Sequence, residues 1–502
     1  MPDAQDEIAA FLADAGKQEP AERIDTHCST VILKGERVFK MKRAVRFSYL
    51  DYSTLERRRR CCEAELALGK HMAPKLYTAL HKVTRESDGA LALDGDGVPV
   101  EWIVEMRRFD QALLFDRLAE AGRLTPLLMR RLADEIARFH HSAERAHGFG
   151  GAASIAATID DATQNLRLAP DILPLEEVEQ WRIAARKALA SVGVVLDRRR
   201  DEGRVRRCHG DLHLRNICLF EGEPTLFDPI EFSDDIACID VLYDVAFLLM
   251  DLLHRGLPGL ANLAFNRYLD RSDESRGLAA MPLFMSLRAA IRAHVGGAAR
   301  GALHAQARSY LDLALAVLRP TAPRLVAVGG LSGTGKSTLA QLVAPGMGAP
   351  PGARIVRSDM LRKRLAGVEP ETKLPPHSYT PETNALVYQA LYEETGTALA
   401  SGYVAIADAA FLRPEERMAI ERVAREHAVP FVGLWLEGPT ELLADRITAR
   451  RDDASDAGTR VLHLQLGYDL GRIDWHRIDV SRDLATLAAE AQRLIGANPS
   501  VT

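Results

Sequence analysis

The run LVAVGG at Leu325–Gly330 is followed at once by Leu331-Ser332-Gly333-Thr334-Gly335-Lys336-Ser337 and then by the helical run TLAQLVA. Gly330 to Ser337 fits G-x-x-x-x-G-K-[S/T], and an apolar strand before it with a helix after it is the context that gives the spacing meaning. The glycines let backbone N–H groups close around phosphate oxygens at a helix N-terminus. Lys336 can then reach the β- and γ-phosphates, and the Ser337 hydroxyl can ligate Mg2+. Gly330, Ser332, Gly333, Thr334, Gly335 and Thr338 complete the candidate nucleotide cradle. A glycine-rich turn that binds nothing is the blander reading. Downstream, ARIVRSD, YVAIAD and FVGLWLEG alternate with helical segments, which predicts an α/β P-loop domain with a parallel sheet over residues 321–502.

Carboxylates later in this half decide what a bound nucleoside triphosphate is used for. Asp359 is expected at the end of a strand over Ile355–Ser358, with Arg362 three residues on and on the same face of a following helix. That pair supplies a candidate base for an acceptor hydroxyl and a cation for anionic groups. Asp408 ends YVAIAD, where a carboxylate would hold Mg2+ directly or through water. Helix N-capping is the alternative for both aspartates. Arg446, Arg450 and Arg451 precede a polar stretch and read either as an arginine-bearing lid over the transferring phosphoryl group or as a solvated helix face.

The prolines of Arg319–Arg324, RPTAPR, mark the main boundary. Upstream of it, Ser29–Leu33 and Arg37–Lys42 read as a hairpin around Lys34-Gly35-Glu36, Leu55–Met72 as a helix, and Val98–Met106 as a strand. This is a small β lobe over about 21–107, followed by a mostly helical lobe over about 111–318 and interrupted by a polar stretch near His209–Asp235. Within that stretch His209-Gly210-Asp211-Leu212-His213-Leu214-Arg215-Asn216 places an Asn five residues after an Asp, the spacing of a kinase catalytic loop. Asp228 follows the short strand-like runs ICLF and TLF. Asp211 meets the need for a base, while Asn216 and Asp228 meet the need for Mg2+ ligands. Lys40 on the early strand and Glu65 on the next helix are the candidate ATP-phosphate pair. Lys42, on the same strand face, and Glu63 are the alternatives.

Composition narrows the class. A chain of 502 residues with net charge -5 has no global field to draw it to nucleic acid or anionic membrane. Its acidic N-terminus and short apolar runs give neither signal peptide nor span, so the cytoplasm is expected. Six cysteines without CxxC spacing argue against zinc. His140, His141 and His147 are spaced for one helix without an accompanying carboxylate or cysteine cluster. The runs Arg57–Arg60 and Arg198–Arg200 read as solvated faces. No metal is expected beyond the Mg2+ carried with ATP.

Two resemblances rest on these residues. Gly329–Thr338, Arg357–Arg362 and Arg446–Asp456 resemble the P-loop kinases of the polynucleotide 5'-hydroxyl kinase, zeta-toxin and gluconate kinase kind, which implies Asp359 as general base and Arg362 as a substrate-phosphate ligand. VFKM, HGDLHLRN, LFDPIEF and DVLYDVAFLLMDL resemble the aminoglycoside phosphotransferase-like kinases, an α+β protein-kinase-like fold. The order of the two halves is similar to that of the bifunctional aminoglycoside phosphotransferase/ATP-binding family. By that likeness Asp211 is the catalytic base, Asn216 and Asp228 bind Mg2+, Lys40 binds ATP phosphates and Asp244 braces the catalytic loop. No glycine-rich loop precedes Lys40; Thr26-His27-Cys28-Ser29 stands there instead. The expected activity is transfer of the γ-phosphoryl group of Mg-ATP to a hydroxyl of a small molecule. The alternatives are a nucleotide-gated regulatory module in one half, or a P-loop half that acts on nucleic-acid 5'-hydroxyl ends.

Overall fold

The computed structural model describes residues 4–14, 20–47, 49–298, 303–449 and 454–496. Its contacts divide into two compact units, Met1–Ser154 with Asp197–Asp251 and Ile155–Leu196 with Leu252–Thr502.

The first unit opens on six antiparallel strands, β1 (Ala21–Asp25), β2 (Ser29–Lys34), β3 (Arg37–Lys42), β4 (Tyr77–Arg85), β5 (Leu91–Leu93) and β6 (Val98–Arg107), in the order β1-β2-β3-β6-β4-β5. The β2–β3 turn forms as expected, with Gly35 in the left-handed region at φ 51°. β3 is interior, so both its faces are used. Phe39 and Met41 pack with Ile32, Val83, Ile103 and the helix Ala4–Asp14 through Ile8 and Leu12. Lys40 and Lys42 point the other way, toward the helix Leu55–Met72, which Thr54 caps by accepting the Arg57 N–H. Gly69 of that helix lets the Tyr77 ring approach, since a Cβ there would stand 2.4 Å from the ring. This face is charged. Glu65 has no exposed surface, and Arg58, inside the run expected to be solvated, is buried with its Nε 2.9 Å from the Glu101 carboxylate.

The remainder of the unit holds β7 (Val205–Arg207), β8 (Ile217–Phe220), β9 (Glu223–Leu226) and β10 (Cys238–Asp240), with β8 pairing β9 and β7 pairing β10. Arg199, in the second arginine run, is likewise buried and makes two 2.7 Å bonds to Asp240. In both arginine runs, one member faces inward because a distant carboxylate is there to meet it.

The second unit is built on five parallel strands, β11 (Leu325–Gly330), β12 (Arg354–Arg357), β13 (Ala405–Asp408), β14 (Phe431–Glu437) and β15 (His476–Asp479), in the order β12-β13-β11-β14-β15. β12 ends one residue earlier than expected. Ser358 and Asp359 already belong to the helix Ser358–Leu365, so Asp359 lies in a first helical turn and not at a strand end. The same unit includes the helices Pro258–Arg271, Met281–Ala298 and Leu303–Ala316. The first of these covers the free edge of β12. Asn266 Oδ1 accepts the Ile355 N–H at 2.7 Å, and the Asn266 and Asn262 amides donate to the Ala353 carbonyl at 3.1 and 3.0 Å. A side-chain amide thus supplies what a sixth strand would, blunting the edge. Arg354, 1% exposed, is neutralised by Asp270 at 2.8 Å and Glu394 at 3.3 Å.

Candidate active site

The first centre lies where β3, the helix Leu55–Met72 and the β7–β8 and post-β9 loops meet. Lys40 Nζ bonds Glu65 Oε1 at 2.7 Å and also pairs with Asp228. Lys42 Nζ reaches the other Glu65 oxygen at 2.5 Å and pairs with Glu231, which also accepts from the Tyr52 hydroxyl. Both candidate lysines therefore share Glu65, whereas Glu63 faces Arg59 on the exposed side. Burial opposes the charge on Lys40, but Asp228 and Glu65 more than offset it and the ammonium titrates above its ordinary range. Burial likewise opposes the Glu65 and Asp228 carboxylates, and the lysines hold both below theirs. Asp228 sits at φ 60° with its N–H on the Tyr77 hydroxyl at 2.9 Å. A non-glycine residue there costs about 1–2 kcal/mol, so the site over-determines its position.

Asp211 and Asn216 are brought together as expected. Asn216 Nδ2 donates to the Asp211 carbonyl at 2.9 Å and to its carboxylate at 2.8 Å, which commits the amide nitrogen. His213 Nε2 lies 3.3 Å from the same carboxylate. His209 is fully buried; burial lowers its pKa, so Nε2–H donates to the Phe227 carbonyl at 2.8 Å while Nδ1 accepts the Asp211 N–H at 3.3 Å. Asp244 accepts the His209 and Gly210 N–H groups at 3.1 and 2.9 Å, which is the bracing expected of it. His140 Nε2 lies 3.0 Å from Asp244, and Cys208 closes the group. The fold therefore supplies the carboxylate and cysteine that the sequence reading did not find beside this histidine. His147 is not on that helix, which is Pro126–Ser142.

In the second unit the glycine-rich loop leaves the C-terminal end of β11. Gly330, Gly333 and Gly335 have φ 138°, 86° and 86°, and a Cβ on Gly330 would stand 2.4 Å from the Leu436 carbonyl. Alanine at that position cannot be accommodated without moving β14. Lys336 Nζ bonds the Gly330 and Leu331 carbonyls at 2.9 Å, and Thr334 Oγ1 donates to the Leu331 carbonyl at 2.8 Å. Ser332 is nearly buried with its N–H on Gln465 Oε1 at 2.8 Å, and Thr338 is exposed in the first helical turns. Ser337 Oγ donates to Asp408 Oδ2 at 2.5 Å, because β13 lies directly beside β11. Burial raises the Asp408 pKa against the opposing pull of Arg357, Lys336 and Ser337; Asp359 is close enough to raise it further. Arg446 stands over the loop, its Nη1 4.0 Å from where a Gly335 Cβ would be, and bonds the Val480 carbonyl at 2.9 Å. Arg450 lies outside the described residues. Arg362 bonds the Ser378 carbonyl at 2.9 Å and Asn384 at 2.7 Å, beneath the Tyr379 ring at 4.7 Å.

Residues 57–283 match the phosphotransferase enzyme family, and residues 325–468 match an AAA domain family. The chain is a kinase, a phosphotransferase-family domain joined to a P-loop domain. The kinase is 29% identical over 474 residues to the protein Rv2004c of Mycobacterium tuberculosis, covering 91% of this chain and 92% of that one. Among solved structures it is similar to a choline/ethanolamine kinase family protein from Mesorhizobium loti (16% identity, 62% of this chain and 93% of that chain, TM-score 0.40). It is also similar to a sugar kinase from Janibacter sp. HTCC2649 (21% identity, 35% of this chain and 96% of that chain, TM-score 0.26).

Sequence reasoning on the kinase gave no role to Glu231, Tyr77, Arg357 or Gln465; Glu231 and Arg357 lie inside the segments LFDPIEF and Arg357–Arg362, but only spatial proximity shows which groups they meet. Two predictions arise here. Glu65→Ala strands two buried ammonium groups, and the full chain should lose about 3–5 kcal/mol in urea denaturation; an unchanged midpoint would mean that Glu231 and Asp228 suffice. Cys28 is the second. Burial opposes its ionisation, but His27 beside it, and Lys40, lower its pKa, whereas burial pushes Cys61 to about 11 and Cys218 to about 12. Since the thiolate is the reactive form, iodoacetamide followed by peptide mapping should label Cys28 first as pH rises. Equal labelling of Cys61 would contradict this.

Proposed function

We propose that the kinase carries two phosphotransfer centres, one on each side of a boundary near residues 320–321, each moving the γ-phosphoryl group of Mg-ATP to a hydroxyl of a small molecule in the cytoplasm. The observation that carries the first is the convergence of Lys40–Glu65 with Asp211, Asn216 and Asp228. The acceptor O–H gives its proton to the Asp211 carboxylate as its oxygen bonds the γ-phosphorus. The bond from that phosphorus to the β–γ bridging oxygen breaks, and the nucleoside diphosphate leaves with the electron pair. His209 and Asp244 hold the loop, so Asp211 accepts the proton without reorganising. The amide oxygen of Asn216 and the half-exposed Asp228 carboxylate are hard donors that fit Mg2+. Such an ion would screen phosphate charge. In the second centre Ser337 and Asp408 are the matching oxygen pair, the Gly330–Thr338 loop with Lys336 and Arg446 is the phosphate cradle, and Asp359 is the base.

A second reading keeps the P-loop half as a nucleotide-gated module. What favours it is that both terminal nitrogens of Arg362 are engaged by Ser378 and Asn384, which leaves that guanidinium bracing its own loop and not reaching for a substrate. No helix among the described residues is long and apolar enough to cross a membrane. The test is mass-spectrometric detection of Mg-ATP-dependent phosphorylation across metabolites, sugars, aminoglycosides and 5'-hydroxyl oligonucleotides. A product lost in Asp211→Asn or in Lys336→Ala assigns the centre. ATP binding without any product would favour the gated module.

A further inference from the structure

The segment that carries Asp228 is pinned on both sides of that residue. The Phe227 N–H donates to the Asn216 carbonyl at 3.0 Å and the Ile230 N–H to the His209 carbonyl at 2.9 Å, so the Asp211 loop holds the segment before and after Asp228. Pro229 has no N–H to place. Farther along, the Glu231 carboxylate accepts from Lys42 and from the Tyr52 hydroxyl, while the Asp228 carboxylate accepts from Lys40. The Asp228 N–H is left, at the point where the backbone turns left-handed with φ 60°. Its partner is a side chain, the Tyr77 hydroxyl at 2.9 Å.

Three features aim that hydroxyl. Tyr77 opens β4 opposite Met106 of β6, and the register shifts directly after it, between Tyr77 and Ala79, the kind of irregularity that re-aims a side chain. Its own N–H bonds the Ala73 carbonyl at 3.2 Å, which ties the residue to the end of the helix Leu55–Met72. Gly69 of that helix leaves room for the ring, and Tyr77 is 1% exposed. The ring therefore has one place to lie. Glycine would adopt φ 60° without strain, but it carries no carboxylate. Aspartate keeps the carboxylate and accepts the strain, and the direction of its Cα–Cβ bond follows from that backbone conformation. Lys40 cannot do the same work, because it grips the carboxylate and not the backbone, and it is shared with Glu65.

We propose that Tyr77 is a positioning residue of the first centre, its hydroxyl holding Asp228 in the left-handed conformation that aims the carboxylate at the metal. This rests on the reading of Asp228 as a Mg2+ ligand. The test is Mn2+ binding, followed by electron paramagnetic resonance in the presence of a non-hydrolysable ATP analogue, on the full chain carrying Lys336→Ala. Tyr77→Phe keeps the ring and removes only the hydroxyl. It should raise the Mn2+ Kd about tenfold, or about 1.4 kcal/mol, the scale of one lost hydrogen bond. The metal-free affinity for the analogue should stay at the parent value, because Lys40 and Glu65 are untouched. Gly69→Ala, which displaces the ring and leaves its hydroxyl in place, should raise the Mn2+ Kd in the same direction. Val83→Ala truncates a fully buried core residue of the same strand on the other side of the sheet. It should lower the melting temperature and leave the Mn2+ Kd alone, which separates positioning from general loss of stability. A Kd unchanged in Tyr77→Phe but raised in Asp228→Asn, or raised equally in Val83→Ala, overturns the role of Tyr77 and spares the metal reading. A Kd unchanged in Asp228→Asn as well overturns both.

Discussion

Asp211→Asn is expected to lower turnover at the first centre by about 10²–10⁴-fold, the usual share of a positioned base, with the KM for ATP little changed. The amide keeps the size of the carboxylate and its contacts to Asn216 and His213, but it cannot take the acceptor proton. The fold should survive, because the braces of this loop run through backbone groups of His209 and Gly210 to Asp244 and not through the Asp211 side chain. Lys336→Ala should leave this reaction intact, because Lys336 and its loop belong to the other unit. Turnover lost in Lys336→Ala and kept in Asp211→Asn would move the chemistry to the P-loop half.

The second large effect concerns stability. A fragment of residues 321–502 should fail to give a monodisperse, cooperatively folding protein, although the sequence boundary at RPTAPR invites that cut. Removing the helix Pro258–Arg271 takes away Asn262, Asn266 and Asp270 together. The Ile355 N–H and the Ala353 carbonyl lose their partners, the β12 edge is exposed to other chains, and buried Arg354 keeps only Glu394. In the full chain Asp270→Ala alone should cost about 1.5–3 kcal/mol, the worth of one hydrogen bond to a charged group, because Glu394 and Asn266 still face Arg354. Size-exclusion chromatography and thermal unfolding check both. A soluble fragment with a single sharp transition would show that the sheet is self-sufficient without that helix.

Much of this architecture was legible because local rules agree with one another. Leu55–Met72 has its Thr54 cap and helical spacing, Arg37–Lys42 follows a glycine turn, and the glycine-rich loop sits between strand and helix as its motif requires. β1 and β15 were not legible. AERID is almost wholly exposed and HRID buries one residue, so neither carries an alternating apolar pattern. The arginine runs misled for a related reason. Arg58 and Arg199 are drawn inside by Glu101 and Asp240, carboxylates far off in sequence. The same distance hides Glu231 and the His140–Asp244 contact. At the candidate sites the motif residues were readable, while the groups that set their charge were not, because electrostatics acts across space and spacing arguments act along the chain.

Two separate Mg-ATP sites on one chain require a nucleotide stoichiometry of two. Equilibrium dialysis of a non-hydrolysable ATP analogue with Mg2+ should give two nucleotides per wild-type chain and one per Lys336→Ala chain. One nucleotide on both proteins, or none on the variant, would contradict the account.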